Sequence, residues 1–471
     1  MSIYGRTTDN NYDNEKRLFS VSLKKVFGKE VFSDCEETQL KEFCEQIAGK
    51  SLNDLVEKNK SLLVFPSDLK KTANDDKDEI EKSQIFSISG AKGEERMHTY
   101  NVMGFLGYKG VSLTISSRFY PNNDDFFLHY LLQRIAGFHV MDLPHVASPN
   151  NPAGDFLPYL FPSYFMRAWK QGVYRVVRRF ERNDDRVKGN IDISRHIKLN
   201  IPFRGNIAYS FSERSADNPM TRLIRLTVDV LEKDSRFKVM FQEGDKSFRD
   251  GVMELKRLVG VEAIQNVAKV VRDNLKPVAH PFYSEYKPLQ RLCLAILRHK
   301  RMAFAESKET IHGVLFRGEW LWEEYLARLL MPLGITHAQN HRKTGGYQPA
   351  KNAWKEWYPD FYKVGTIVLD AKYKWDDDGN DDEIRRADKH QIIAYMYILK
   401  ASTGGFIYPG KPDQPIWSKE IMLNGWEGTV YPLRLPISRN AETYERFVEA
   451  MRKSEEEFQL EVSKLTNKKG N

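Results

Sequence analysis

Two acidic residues and a lysine fall close together in the stretch "WYPDFYKVGTIVLDAKYK", residues 357–374. Two β-branched and aromatic runs around a short glycine-containing turn predict a β-hairpin here. Because side chains alternate along a strand, Asp370 and Lys372 share one face of the second strand. Asp360 begins the first strand, so we expect it to lie across the hairpin and close to Asp370.

These three side chains could hold a metal ion and use it. Two carboxylates brought together repel each other and lose hydration, which is unfavourable unless a cation lies between them. A small number of oxygen ligands suits Mg²⁺, which prefers octahedral coordination and retains water, with Mn²⁺ as an alternative. The metal would lower the pKa of a bound water and polarise a phosphate oxygen. The lysine ammonium would orient the nucleophile and stabilise charge in the transition state.

The same residues also have a purely structural interpretation. Asp360 could begin a turn, and Asp370 with Lys372 could form a solvent-facing pair on a strand. The pattern Asp-x-Lys occurs by chance in many proteins, so the elements around the hairpin must decide between the two interpretations.

The segment before the hairpin predicts a helix that could supply a further acid. "LFRGEWLWEEYLARLL" repeats apolar residues at helical spacing, with about 100° between successive side chains. Glu319 and Glu323 then flank the apolar stripe and both stay candidates, while Glu324 points away from it and is the weakest. The stripe consists of Trp322, Tyr325, Leu326, Leu329 and Leu330.

The segment after the hairpin, "DKHQIIAYMYILK", predicts a second helix. It places Gln391 and Tyr395 one turn apart, and the strand-like run "GGFIYPG" follows. The order is therefore helix, two strands carrying Asp and Asp-x-Lys, helix and strand. This order favours a shared cleft over a solvent-facing pair.

The order resembles that of the PD-(D/E)xK nuclease superfamily over about residues 313–410. The matching residues are Pro359-Asp360, Asp370-Ala371-Lys372 and Gln391-x-x-x-Tyr395. The catalytic set that the resemblance implies is Asp360, Asp370, Lys372, Glu323, Gln391 and Tyr395. The implied metal ligands are Asp360, Asp370, Ala371 and Glu323.

A longer part of the chain, about residues 100–410, is similar to the McrC-like nuclease subunits of McrBC and LlaJI-type restriction systems. The hydrophobic pair followed by Glu in that family matches Leu321-Trp322-Glu323, which favours Glu323 and leaves Glu319 open. The similar blocks, in chain order, are "VKGNIDISRHI", "FSERSADNP", "YKPLQRLCLAIL", "LWEEYL" and "AYMYILKASTGGFIYP".

The resemblance implies a Mg²⁺-dependent endonuclease subunit that cuts double-stranded DNA and acts with a separate McrB-like AAA+ GTPase ring. In such subunits the N-terminal β-rich part docks into the ring and stimulates hydrolysis. This chain contains no Gly-x-x-x-x-Gly-Lys-Ser/Thr phosphate loop, which agrees with a separate nucleotidase. Two other functions stay open, a non-cleaving activator of an NTPase and a stand-alone DNA repair exonuclease.

Length and pattern predict a multidomain α/β or α+β protein. At 471 residues the chain is too long for one ordinary core. We expect a β-rich, partner-docking region at 1–122 with a charged loop at 68–83. A mixed, largely helical region at 123–300 follows, and then a PD-(D/E)xK nuclease domain with a C-terminal helical tail at 301–471.

Composition is that of a folded cytoplasmic protein. Hydrophobic residues make up 41% and charged residues 29%, and no run of about 18 apolar residues or secretory signal is present. Three cysteines are too few for a disulfide framework or a zinc site. The net charge of +8 favours a polyanionic partner only modestly. The basic run between Arg175 and Arg186 could contact phosphate, but neighbouring acids favour a solvated face.

Overall fold

The computed structural model describes most of the chain, which divides into two compact units. The first unit contains Met1–Leu160 and Phe304–Asn471, and the second contains Phe161–Ala303. The charged segment predicted as a loop at 68–83 lies outside the described residues. The described residues are 3–13, 16–59, 62–65, 84–91, 93–120, 125–136, 152–242, 244–302, 311–340, 343–350, 355–375, 386–417, 419–424 and 428–467.

Strands occur along the whole described chain and mix with helices, which confirms the predicted mixed α and β fold class. The strands are β1 (Ile3–Thr8), β2 (Val21–Ser22), β3 (Leu62–Phe65), β4 (Phe86–Ser89), β5 (Arg96–Thr99), β6 (Val102–Tyr108), β7 (Val111–Ser116), β8 (Val176–Asp184), β9 (Asn190–Ile191), β10 (Ile207–Ser215), β11 (His312–Arg317), β12 (Thr336–His337), β13 (Phe361–Lys363), β14 (Ile367–Ala371), β15 (Thr403–Gly410), β16 (Ile421–Met422) and β17 (Thr429–Pro436).

The helices include long amphipathic segments that pack on the sheets or on one another. None of those in the described residues is both long and apolar enough to cross a membrane. The helices are α1 (Leu23–Phe27), α2 (Asp34–Ile47), α3 (Leu52–Lys58), α4 (Phe126–Ala136), α5 (Pro152–Lys170), α6 (Ile193–Leu199), α7 (Pro219–Glu232), α8 (Ser235–Gln242), α9 (Lys246–Leu258), α10 (Val267–Asp273), α11 (Tyr286–Met302), α12 (Gly318–Leu330), α13 (Arg386–Leu399) and α14 (Tyr444–Asn467), with short 3-10 turns at Val261–Ile264 and Met331–Leu333.

A five-stranded sheet in the first unit combines residues from both ends of the chain. Its strand order is β1-β7-β6-β11-β3, so β11 lies between two strands of the N-terminal region. Glycines let β6 and β11 approach closely. Gly104 has a φ of 129°, and a Cβ there would lie 2.1 Å from the carbonyl oxygen of Val314. A side chain at this position would push the two strands apart.

A six-stranded sheet in the same unit contains the predicted hairpin. Its order is β12-β13-β14-β15-β17-β16. β13 and β14 pair antiparallel as the sequence predicts, and β14, β15 and β17 run parallel. Val368 on β14 packs with Ile392 and Met396 of α13 in one hydrophobic cluster. The face of β14 that carries Val368, Asp370 and Lys372 therefore lies under α13.

Helix α12 is buried on nearly every side, because it packs against α4, α14, β11 and β14. Glu324 is consequently only 6% exposed, and its Oε1 accepts a hydrogen bond from Nε2 of Gln339 at 2.7 Å. The sequence places Glu324 away from the apolar stripe, and the structure shows that this side of the helix is packed as well. A single apolar stripe describes a helix with one buried face, whereas α12 has neighbours on opposite sides.

The second unit is largely helical, with a small three-stranded sheet of order β8-β10-β9. Helix α7 begins with Asn218 as N-cap and Pro219 in the first turn. The basic run lies on β8, most of which is exposed. Arg178 forms an ion pair with Asp217 and Glu181 with Arg195, which agrees with a solvated, charge-balanced face.

The three cysteines are free. Cys35 is exposed, whereas Cys293 is buried and Cys44 is partly buried. Burial raises the pKa of the Cys44 and Cys293 thiols to about 12, so both stay protonated at neutral pH. These two thiols are packing groups.

Candidate active site

The second strand of the hairpin delivers Asp370 and Lys372 to one side of the sheet. The apolar β-branched run Ile367–Leu369 is fully buried, and it fixes β14 between β13 and β15. Asp370 comes at the end of this run and is only 5% exposed. The ladder continues one residue past the strand, because the Lys372 backbone N–H donates to the Ile407 carbonyl at 2.9 Å.

Asp360 lies across the hairpin, as predicted, immediately before β13. Its Oδ2 accepts a hydrogen bond from the backbone N–H of Ala371 at 2.7 Å. Its backbone carbonyl accepts from the Ala338 N–H at 3.0 Å. The Asp360 carboxylate is thereby held next to the Asp-Ala-Lys segment by main-chain contacts on both sides of the residue.

The Lys372 ammonium lies between two carboxylates. Its Nζ is 2.5 Å from Oδ2 of Asp370 and 2.9 Å from Oδ1 of Asp388. Burial alone would lower the pKa of Lys372, but the charges of Asp370 and Asp388 outweigh it and raise that pKa. Lys372 is therefore positively charged where it contacts Asp370 and Asp388.

Burial and neighbouring negative charges raise the pKa of three carboxyl groups at this place. The pKa of Asp360 is well above its usual value, first because of burial and then because of the negative charges of Asp370 and Glu323. Burial also raises the pKa of Asp370, against the opposing effect of Lys372. Carboxyl groups whose ionised forms are destabilised by burial and by neighbouring charge are typical of functional sites.

Glu323 is the helix acid that lies near the aspartates. Burial raises its pKa, and the charges of Glu324 and Asp370 add to that rise, while a hydrogen bond with His337 opposes it. The Nε2 atom of His337 is 3.0 Å from Oε1 of Glu323. Glu319 instead accepts a hydrogen bond from Nδ2 of Asn101 at 2.7 Å. The geometry therefore selects Glu323 from the two glutamates that the sequence leaves open.

Gln391 and Tyr395 meet on α13, one helical turn apart as predicted. The Nε2 group of Gln391 donates to the Tyr395 hydroxyl at 3.1 Å. Burial raises the pKa of Tyr395, and the charges of Asp370 and Asp360 raise it further. Tyr395 is therefore close enough to Asp370 and Asp360 for their charges to act on its hydroxyl. Gln391 contacts Tyr395.

Two residues at the site escape prediction from the sequence. Asp388 binds Lys372, and His337 binds Glu323 while stacking on the Phe361 ring with centroids 5.0 Å apart. Asp388 precedes Gln391 by three residues, so helical spacing puts both on the same face of α13. This spacing could have identified Asp388 from the sequence. His337 has no comparable signal, because it is brought in by β12 from outside the motif.

The donor set at the hairpin fits a hard divalent cation by its chemistry. Asp360, Asp370 and Glu323 offer carboxylate oxygens, and a cation relieves their mutual repulsion. Within the part of the chain that the structure describes, no group of three or more His, Cys, Asp or Glu side chains is placed to hold a metal ion. Mg²⁺ requires fewer, because it commonly takes one or two protein carboxylates and keeps several waters.

Comparisons with known proteins relate the chain to one family and to two solved structures. Residues 97–409 match the sequence model of the McrBC 5-methylcytosine restriction system component family. A chain of the refined half-complex from the tetradecameric assembly of Thermococcus gammatolerans McrB AAA+ hexamers with bound McrC has a TM-score of 0.50 and 14% identity, over 98% of this chain and 100% of that chain.

A chain of the cryo-EM structure of the Thermococcus gammatolerans McrBC complex has a TM-score of 0.34 and 14% identity, over 72% of this chain and 90% of that chain. No curated protein matches the sequence. At this identity the likeness to the half-complex, with its TM-score of 0.50, shows the fold alone. The family match covers more than half of the chain and includes every candidate site residue, so this protein belongs to the McrBC 5-methylcytosine restriction system component family.

Proposed function

We propose that this chain is the DNA-cleaving subunit of a McrBC-type restriction complex, a Mg²⁺-dependent endonuclease with a PD-(D/E)xK core. The observation that carries the proposal is the grouping of Asp360, Asp370 and Glu323, with Lys372 bound to Asp370, where burial and neighbouring negative charges raise the pKa of all three carboxyl groups. The order of these residues on hairpin and helices, together with membership of the family, supports the same assignment.

The side chains have distinct roles in the proposed reaction. Asp360 and Asp370 would hold the ion, which supplies Lewis acidity toward water and phosphate. Glu323 and the backbone of Ala371 are the further ligands that the family resemblance implies. Lys372 places a positive charge where negative charge develops on the phosphate oxygens. Tyr395 and Gln391 border the same face and would orient the phosphodiester or the attacking water by hydrogen bonds.

The partner in this proposal is a separate AAA+ nucleotidase of the McrB type, and the substrate is double-stranded DNA. Two findings support the partner: the family match, and a solved assembly of similar fold in which McrB hexamers carry bound McrC. The sequence contains no phosphate loop of its own, which fits a division between a motor and a nuclease.

Substitution of the strand residues tests the proposal in the assembled complex. With Mg²⁺ and partner present, Asp370→Ala and Lys372→Ala are each expected to lower the DNA cleavage rate by about a hundredfold or more, because each removes charge that acts on the reacting phosphate. Asp413→Ala, which removes an exposed carboxylate in the same unit, is the matched control. Stimulation of the partner's nucleotide hydrolysis should persist in all three variants.

Several results would contradict the proposal. Unaltered cutting by Asp370→Ala would remove the hairpin from the chemistry. If the unmodified complex hydrolyses nucleotide without breaking DNA, the chain is an activator and scaffold. If the isolated chain degrades DNA progressively from ends without a partner, the chain is a stand-alone exonuclease.

A further inference from the structure

An arginine from the N-terminal half of the chain holds the end of the catalytic strand. Tyr373 follows Lys372 directly, and its backbone carbonyl accepts a hydrogen bond from Nη2 of Arg118. The Arg118 guanidinium also lies 4.8 Å from the centre of the Tyr373 ring. Arg118 therefore contacts the backbone one residue beyond the lysine that the proposed reaction uses.

Asp9 fixes Arg118 from a segment near the start of the chain. Oδ1 of Asp9 accepts a hydrogen bond from the Arg118 backbone N–H at 2.6 Å, and Oδ2 lies 3.4 Å from Nη1 of the same residue. Asp9 is fully buried, and the Arg118 side chain is 11% exposed. Removing one partner of such a buried pair leaves the other charge poorly compensated, so the two residues constrain each other strongly.

Asn101 connects the same arginine to the helix that carries Glu323. Its Oδ1 accepts a hydrogen bond from Nη1 of Arg118 at 2.7 Å, and its Nδ2 donates to Oε1 of Glu319 at 2.7 Å. Its carbonyl accepts from the Gly318 N–H at 3.0 Å, at the first residue of α12. Arg118 thus contacts both the strand that carries Asp370 and, through Asn101, the start of α12.

Tight packing reinforces these polar contacts. A Cβ at Gly318 would lie 2.2 Å from Cε1 of Tyr373, so the tyrosine ring rests directly on the start of α12. The Tyr373 hydroxyl donates to Sδ of Met103 at 3.2 Å, and the Phe119 ring meets the Tyr373 ring at 4.8 Å between centroids. The residue after the catalytic lysine therefore has little freedom to shift.

The anchor of this arrangement lies outside the part of the chain that defines the family. The family match covers 97–409, which includes Asn101 and Arg118 but not Asp9. Asp9 follows β1, which pairs in parallel with β7, and the Asp9 backbone N–H donates to the Ser116 carbonyl at 2.8 Å. The N-terminal strand thus sets the position of a carboxylate that faces the nuclease region.

We propose, on the basis of the function proposed above, that Arg118 is a positioning residue for DNA cleavage and that Asp9 anchors it. The N-terminal segment then supports the nuclease site directly, in addition to any role in docking a partner. The physical reason is geometric, because a displacement of the reacting groups by about 1 Å can lower a rate by about a hundredfold.

Two variants test the proposal in the full-length protein. Arg118→Met keeps the bulk of the side chain and removes its hydrogen bonds, and Asp9→Asn keeps the shape and removes the charge. Each is expected to lower the single-turnover cleavage rate of the assembled complex by about tenfold or more, without a change in the KM for DNA. Hydrogen exchange of the backbone amides in 367–375 should accelerate in the isolated chain, without DNA or metal.

Arg96→Met is the matched control. Nη2 of Arg96 lies 2.7 Å from Oδ2 of Asp13, and Nε of Arg96 donates to Oγ of Ser20 at 3.1 Å. The two side chains of the ion pair are 14% and 5% exposed. This pair is nearly as buried as the Arg118 pair, and Arg96 lies on β5 of the sheet β2-β5-β4, which does not contain the hairpin. We expect a similar loss of thermal stability but unchanged cleavage and unchanged exchange in 367–375.

The outcomes separate the two proposals. If Arg118→Met cuts DNA within about twofold of the unmodified protein, or if Arg96→Met loses as much activity, Arg118 is a general structural residue and the inference fails. If Arg118→Met does not fold, Asp9→Asn decides on the same criteria. If Asp370→Ala also cuts normally, the proposed function fails. Faster hydrogen exchange in 367–375 of Arg118→Met would in that case still show that Arg118 holds this segment in place.

Discussion

At the residue scale, the lysine of the Asp-x-Lys pattern is held from two elements at once. Asp370 lies on the same strand, while Asp388 lies on α13 and also approaches Lys374, with 3.7 Å between Oδ2 and Nζ. A free lysine side chain has many rotamers, and fixing it costs conformational entropy. Because Asp388 already fixes the side chain, Lys372 would need no further ordering in the proposed reaction.

The variant Asp388→Asn should weaken cleavage without weakening DNA binding. An amide still accepts a hydrogen bond from Lys372, but it lacks the charge that holds the ammonium in place. We expect the single-turnover rate to fall by about tenfold and KM to stay constant, because the lost interaction concerns geometry in the transition state. Asp388→Glu should recover part of the rate.

Asp413→Asn is the control for this prediction, since it changes net charge by the same amount at an exposed position in the same unit. Rates are measured in the assembled complex under saturating Mg²⁺. A normal rate for Asp388→Asn, or an equal loss for Asp413→Asn, would show that Asp388 does not position Lys372.

At the element scale, local periodicity is enough to place the hairpin and the helices around it. Alternation along β14 correctly puts Asp370 and Lys372 on one face, and helical spacing correctly brings Gln391 to Tyr395. Both features depend only on residues that are close in the sequence, so they can be predicted from one sequence. The burial of Glu324 escaped prediction, because it depends on which elements pack against both sides of α12.

The contacts that tie the elements together are less accessible from the sequence. Arg118 meets Tyr373 across more than two hundred residues, and nothing in the local pattern of either segment identifies the other. The same holds for Glu455 on α14, which accepts hydrogen bonds from the Tyr130 and Tyr325 hydroxyls at 2.6 Å and 2.8 Å. Such contacts follow from the packing of whole elements and appear only in the folded chain.

The contacts of Glu455 yield a stability prediction for the helices α4, α12 and α14. Its Oε2 also lies 2.6 Å from Nη2 of Arg134, and the glutamate side chain is 5% exposed. Glu455→Ala leaves two buried hydroxyls and a guanidinium without their acceptor, which should lower the free energy of unfolding by about 3 kcal/mol. Chemical denaturation of the purified chain measures the change.

Glu456→Ala is the matched control, because the neighbouring glutamate is exposed on the same helix. It should change the free energy of unfolding by no more than about 0.5 kcal/mol. A loss from Glu455→Ala that is no greater than the loss from Glu456→Ala would mean that the three helices are held together by apolar packing alone.

At the scale of the whole molecule, the N-terminal region and the C-terminal region with the candidate site form one compact unit. Strand β11, which leads into α12, pairs with β6 on one side and β3 on the other. The hydrophobic cluster of this sheet combines Ile3, Phe43 and Leu62 with Leu315. The segment before residue 97 therefore completes a core that the family-matched segment alone leaves open.

This arrangement predicts that a chain beginning at residue 97 will not fold into a stable protein. The truncation removes β1 and β3 and more than half of the buried residues in the hydrophobic cluster. Each buried side chain contributes roughly 1.5–3 kcal/mol, so the combined loss exceeds the roughly 5–15 kcal/mol by which domains are stable. We expect aggregation on expression and no cooperative thermal transition, measured by calorimetry.

Supplying residues 1–96 as a separate chain in the same cells is the complementary experiment. Because β1 and β3 pair through backbone hydrogen bonds with β7 and β11, the separate fragment should associate with the remainder and restore a cooperative transition. The same fragment carrying Asp9→Asn should restore folding but not the full cleavage rate, since Asp9 anchors Arg118. A truncated chain that folds and cuts DNA unaided would contradict both expectations and assign the N-terminal segment to partner docking alone.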